Sequence, residues 1–403
     1  MLKLWARVVS LAWICTLIGT ASLLAAQSAN PAKPNQGIPD AQIPEACKTL
    51  TPSGTSLSLP LSADAGPRLY EQLGTAFGRA GNPKCAIIAF RAALALDPGA
   101  TQGRYSLGLA LIEDHQPEQA AGELRTVIRQ QPGSFTAHNA LGLALQDAGD
   151  RPAAANEFRT ALKINPTFSL AYYDLARLLS SEHNDRAAVY YLKRALANSP
   201  PAAFTPELKN ALAIAYAQLG SYADSVALFR ELIASQPNSN VLHFDLATSL
   251  AHQENYAEAV IEYNEVLRLD PNRQEAKLLL AKALLNQSKV EEALPYLREY
   301  ARATPSDPEG LEVLGDALKD SSHPDEAIEI LRRATEQNPS SYKAHYDLGA
   351  VLGRIGKTNE AIRELQTAVK LKPEGAEARY QLAQLLAKEQ DPGARVQFAA
   401  SIS

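Results

Sequence analysis

Histidine, cysteine and an acid-flanked set of tyrosines are the side chains of this sequence best suited to chemistry, and their spacing decides which chemistry is open to them. The seven histidines stand at 115, 138, 183, 243, 252, 323 and 345. None falls in a His-Glu-x-x-His pattern or beside paired cysteines, so no metal site and no cofactor is expected. Gly356-Lys357-Thr358 looks like the end of a phosphate-binding loop, yet the glycine required five residues earlier is Val351. It reads instead as a turn between two helices. No serine elbow or paired nucleophile and base occurs, so the chain is expected to be non-enzymatic.

The cysteines carry a different question. Lys3 and Arg7 precede an uncharged run from Val8 to Ala26, and no acid occurs before Asp40. That is the layout of a secretory signal over 1–28, or of an N-terminal anchor if the segment is retained, and the chain is expected to be exported, periplasmic or extracellular. Cleavage would remove Cys15 and leave Cys47 and Cys85. These two either form one disulfide that pins the N-terminal tail to the first folded unit or are two unrelated small residues, because sequence alone cannot supply their separation. Residues 29–66 hold six prolines and no aromatic side chain, so they are expected to form a linker. Within it the alternating leucines of Ser56 to Leu61 could lie against the first repeat.

Positioning elements follow from a ruler of prolines. Pro98, Pro132, Pro166, Pro200, Pro237, Pro271, Pro305, Pro339 and Pro373 are separated by 34 residues throughout, except for one interval of 37. In every unit a leucine stands at the seventh position (Leu73, Leu107, Leu141, Leu175 and onward) and Gly or Ala at the eighth. An Ala or Ser recurs twelve residues further on, from Ala86 to Ala361, followed after four more by a large apolar residue such as Phe90 or Phe158. Apolar residues at steps of three and four mark two amphipathic helices per unit, with breakers such as Gly81-Asn82-Pro83 between them.

This skeleton resembles the tetratricopeptide repeat, over residues 67 to about 398 and in register through nine units with a truncated tenth. The family's opening Trp is missing throughout. The resemblance implies an all-α fold, a right-handed α-α superhelical solenoid of helix-turn-helix units. The expected organisation is repeats 1–4 over 67–202, an insertion at 203–205, repeats 5–9 over 206–375, and over 376–403 a truncated tenth repeat with a C-terminal cap. The insertion, set among Pro200, Pro201 and Pro206, either bends the array or only lengthens a loop.

The resemblance also implies that partners bind on an inner face lined by the first helix of each repeat. Position five there reads Tyr105, Asn139, Tyr173, Asn210, Phe244, Tyr346 and Tyr380, a ladder of planar and amide groups expected to face solvent and grip an extended peptide or a glycan. Helix packing explains the same residues about as well. Arg177 and Lys282 occupy position nine, and Glu309, Glu312, Asp316 and Asp320 cluster in repeat eight, where they could attract a basic segment. The Lys and Asn pattern with which some family members clamp a C-terminal carboxylate is missing. With 39 basic and 44 acidic residues the charge is −5, which argues against nucleic acid as partner. The function expected is an exported scaffold for a protein or peptide ligand, touching a membrane only through the N-terminal segment. The alternative is a periplasmic glycan-associated module resembling exopolysaccharide-secretion subunits.

Overall fold

In a computed structural model the described residues are Cys47, 66–319, 322–389 and 393–402. The signal reading, nearly all of the linker, the Ser56 to Leu61 pattern and Asp320 lie outside them. The described residues divide between two compact bodies, Met1–Leu219 and Gly220–Ser403.

The N-terminal body contains α1 (Pro67–Arg79), α2 (Pro83–Leu96), α3 (Thr101–Glu113), α4 (Pro117–Gln130), α5 (Phe135–Asp147), α6 (Arg151–Ile164), α7 (Ser169–Ser181), α8 (Asp185–Ala197) and α9 (Thr205–Gln218). The C-terminal body contains α10 (Tyr222–Ser235), α11 (Asn240–His252), α12 (Tyr256–Leu269), α13 (Gln274–Asn286), α14 (Val290–Ala303), α15 (Pro308–Lys319), α16 (Pro324–Gln337), α17 (Tyr342–Arg354), α18 (Thr358–Leu371), α19 (Ala376–Lys388) and α20 (Gly393–Ile402). Among the described residues every element is a helix. Within each body every helix packs against the next along the chain, so the fold is the all-α tandem array of helix pairs that the 34-residue period implies.

The leucine at position seven is the core of each pair. Leu73, Leu107, Leu141 and Leu175 are buried in the N-terminal body, and Leu246, Leu280, Leu314 and Leu348 in the C-terminal body. The small residue at position eight is a packing requirement. A Cβ built on Gly74 would stand 2.7 Å from the Phe90 ring, and one on Gly142 2.5 Å from the Phe158 ring, so each ring lies across bare backbone. Between the two helices of a pair the chain reverses through one left-handed residue. Gly81, Gly149, Gly220 and Gly356 fill that position at φ of 70 to 87°, while His115, His183, Glu254 and Ser288 fill it elsewhere at 57 to 61°. Two of the seven histidines thus owe their place to a turn.

The three-residue insertion folds into the N-terminal body. Phe204 is buried and packs edge-on against Tyr173, with ring centres 5.3 Å apart, and its N–H donates to the Pro201 carbonyl at 2.8 Å. At the other end of that body Cys47 is disulfide-bonded to Cys85 on α2, with the Cα atoms 5.5 Å apart and both residues buried. No helix among the described residues is long and apolar enough to cross a membrane.

Candidate functional site

The position-five ladder does not face solvent as expected. Tyr105 is 7%, Asn139 3%, Tyr173 2% and Phe244 8% exposed, and only Tyr380, at 51%, is open. Asn210 and Tyr346 are half-buried. Neighbouring side chains close the positions. Phe204 covers Tyr173, and in the C-terminal body the Arg273 guanidinium sits 3.6 Å over the Phe244 ring.

Below the ladder in the N-terminal body lies a buried polar contact. The Asn139 side-chain amide donates to Asp174 Oδ2 at 2.8 Å, joining α5 to α7. Burial pushes the Asp174 carboxyl up to about 6, against the opposing pull of Arg177 and of the Asn139 hydrogen bond. Arg177 itself is 4.0 Å from Asp174 Oδ1 and 5.6 Å from the Tyr173 ring centre. Asp174 Oδ1, Asn139 Oδ1 and Asn210 Oδ1 are closed off without a hydrogen-bond partner. At position thirteen of the same body Glu113 and Asp147 are both raised by burial, Asp147 to about 6.

Two acids of repeat eight are already balanced within the C-terminal body. Glu309 pairs with Lys282, and Asp316 lies 2.9 Å from both Lys319 and Lys343. Those two lysines also reach the buried Asp347 at 3.1 and 3.2 Å. Burial pulls the Lys319 ammonium down, but Asp316 and Asp347 outweigh it and hold the group above its ordinary range. A basic partner would have to displace these cations, so the expectation of a free acidic patch built on Glu309, Glu312 and Asp316 does not hold for Glu309 and Asp316.

The histidines of position four have a specific role. His138 Nδ1 is 2.6 Å from Glu157 and its Nε2 3.2 Å from the Pro132 carbonyl. His243 spans Glu262 and Pro237 at 2.6 and 3.0 Å, and His345 spans Glu364 and Pro339 at 2.7 and 3.2 Å. In repeat two Arg104 does the same work, donating to Glu123 at 2.6 Å and to the Pro98 carbonyl at 2.9 Å. Each side chain ties its first helix to its own second helix and to the loop before it. These are structural clasps, and among the described residues no three His, Cys, Asp or Glu converge as a metal site.

On a first-helix face of the C-terminal body lies a cavity of about 540 Å³. It is lined by Lys319 of α15, by Tyr346, Ala350, Gly353 and Arg354 of α17, and by Gln381, Gln384, Leu385 and Lys388 of α19. The Gln381 side chain donates to the Tyr346 hydroxyl at 3.1 Å. A Cβ on Gly353 would meet Leu385 at 3.4 Å and Ala361 at 3.8 Å, ordinary packing distances, so the small residue lets α19 and α18 come close to α17 there.

Comparison with known proteins settles the family. The tetratricopeptide repeat model matches residues 71–135, 105–146, 139–203, 210–273, 246–308 and 313–356, and a second TPR repeat model matches 354–390. The chain belongs to the tetratricopeptide repeat family. No curated protein matches it significantly. Among solved structures it is similar to yeast Tom70 (17% identity, TM-score 0.37, covering 83% of this chain and 84% of that one). A tetratricopeptide repeat protein from Parabacteroides merdae matches at 17% identity and TM-score 0.44, over 67% of this chain and 98% of that one. YrrB, described as a TPR protein with an unusual peptide-binding site, matches at 20% identity and TM-score 0.36, over 58% of this chain and 99% of that one.

As a TPR array the chain is a protein–protein interaction scaffold. The cavity residues Lys319, Arg354, Gln381, Gln384 and Lys388 escaped the sequence reading, although a signal existed. Arg354 and Lys388 both occupy position thirteen, 34 residues apart, and Gly353 precedes the first of them at position twelve.

Proposed function

We propose that this TPR protein is an exported, non-enzymatic scaffold that holds partner segments on the first-helix face of its C-terminal body. The observation that carries the export half is the Cys47–Cys85 disulfide, since such bonds form and persist in oxidising compartments outside the cytoplasm. The basic, uncharged-core layout of residues 3–26 supports it from the other end of the argument. The recognition half rests on the cavity over Gly353, where polar and charged groups are reachable. The glycan alternative draws on rings available for stacking, and the burial of Tyr105, Tyr173 and Phe244 removes most of them.

Intact mass of protein recovered from its native compartment, followed by non-reducing peptide mapping, tests the export reading. The expected result is a chain beginning near residue 29, whose emission is that of Tyr alone because Trp5 and Trp13 have gone with the signal, and whose Cys47 and Cys85 peptides are linked. A reduced cytoplasmic chain beginning at Met1 refutes it.

A further inference from the structure

The second helices of both bodies carry an arginine in one register, and what it meets differs between the bodies. In the C-terminal body Arg230, Arg298 and Arg332 stand there, and each pairs with a glutamate 28 residues on, in the next second helix: Glu258, Glu326 at 2.7 Å and Glu360 at 2.6 Å. In the N-terminal body Arg91, Arg125 and Arg159 keep the register, but the residues 28 further on are Gln119, Ala153 and Ala187. Arg91 donates to the Gln119 side chain at 2.8 Å. For Arg125 on α4 and Arg159 on α6 a methyl group stands where the other body has a carboxylate. Arg129 and Lys163 follow one turn later on the same sides of these helices, and all four cations are exposed. Among the described residues none of the four has an ion pair, and Arg129 alone makes a hydrogen bond, to the Thr126 hydroxyl at 2.8 Å. The acids of α4 and α6 do not neutralise them. Glu123 is held by Arg104 and Glu157 by His138, which leaves Glu118 on the first turn of α4. Like charges four residues apart on a helix repel, so the fold itself gains nothing from the cluster.

We infer that this side of α4 and α6 receives an acidic segment of a partner protein, whose carboxylates take on Arg125 and Arg159 the place that Glu326 and Glu360 take in the C-terminal body. The surface is separate from the cavity, and the inference does not depend on the cavity's being used. A guanidinium matches a carboxylate through two parallel N–H bonds, as Arg298 does with the two oxygens of Glu326 at 2.8 and 2.7 Å. Nucleic acid would use the same fork, but the chain's charge of −5 opposes it and neither helix exposes a ring for a base to stack on, Phe158 being buried. An anionic bilayer would gain little beyond charge, since Ile164 is the one large apolar side chain exposed on these two helices.

The test is fluorescence anisotropy of the full chain with labelled hexaglutamate at low salt, with hexaglutamine as the uncharged control. Hexaglutamate is expected to bind and hexaglutamine not. R125Q/R159Q should weaken binding at least about tenfold, as loss of charge-assisted hydrogen bonds does. R298Q/R332Q removes the same charge from the same register where it is already paired, and should leave binding unchanged. A153E/A187E, which gives α6 and α8 the glutamates of the C-terminal body, should block the peptide by engaging both guanidinium groups from within. Arg125 and Arg159 are exposed, so R125Q/R159Q should melt with the parent and decides the matter even where A153E/A187E folds poorly. Equal binding of the two peptides, binding that survives R125Q/R159Q, or equal loss in R298Q/R332Q overturns the assignment. So does tighter, Arg125- and Arg159-dependent binding of phosphatidylglycerol vesicles or of an oligothymidylate, which would make lipid or nucleic acid the occupant.

Discussion

Single side chains in this array are asked to join helices that the backbone alone cannot join. His138, His243 and His345 each meet a carboxylate with one ring nitrogen and a proline carbonyl with the other, and Arg104 shows that the position calls for two donors. Replacing His138 with Arg should therefore keep the clasp, whereas His138→Leu should cost about 1 kcal/mol by leaving two half-buried acceptors unpaired. Equilibrium urea unfolding distinguishes the two, and equal loss in both variants contradicts the clasp. Asp174 makes the opposite kind of demand. Its folded value near 6 lies above the ordinary 3.8, so the folded state holds that proton more tightly than the unfolded chain does. The stability this contributes is complete below about 3.8 and lost as pH rises through about 6. The isosteric Asp174→Asn should flatten stability across that window and exceed the parent at pH 7 by up to about 3 kcal/mol. Denaturant midpoints at pH 4 and pH 7 check it, and an unchanged difference between the two pH values sinks it. None of this was legible in the sequence, where His138 and Asp174 could be placed on a helix face but their partners, 19 and 35 residues away, could not be identified.

At the scale of helices and turns the sequence is far more transparent. The proline ruler, Leu73 and its successors, and the small residue facing Phe90 or Phe158 follow from period and size, and the helices start and stop where these require. The left-handed turn residue is the informative exception. Gly149 accepts φ of 87° at little cost, while Glu254 pays for φ of 61° with a Cβ. Glu254→Gly should gain roughly 1 kcal/mol and Gly149→Ala should lose a similar amount, read as opposite shifts in thermal unfolding. The disulfide acts on one element too. Reducing Cys47–Cys85 frees a loop of 38 residues from α2, and hydrogen exchange should then quicken in α1 and α2 while α5 to α7 stay protected, because each repeat leans on its neighbours alone. Uniform acceleration along the N-terminal body would contradict that locality. Whether the two cysteines pair could not be read from spacing, since a proline-rich stretch fixes no distance.

For the molecule as a whole, the same period that makes the array legible hides where it binds. Which position-five rings are covered depends on residues outside the repeat pattern, Phe204 from the insertion over Tyr173 and Arg273 over Phe244, so a ladder read from one helix face became core. The reachable polar groups lie at the C-terminal-body cavity, where Gln384 and Lys388 of α19 are exposed. The first-helix face therefore divides into packing residues and recognition residues. Calorimetric melts of two variants of the full chain test that division most directly. Tyr173→Ala should lower the unfolding temperature by several degrees, in line with a loss of about 3 kcal/mol from an aromatic side chain removed from a close-packed site. The Q384A/K388A variant should melt with the parent, because both side chains are exposed. A Tyr173→Ala chain that melts unchanged, or a Q384A/K388A chain that melts early, would contradict the assignment of core and recognition surface.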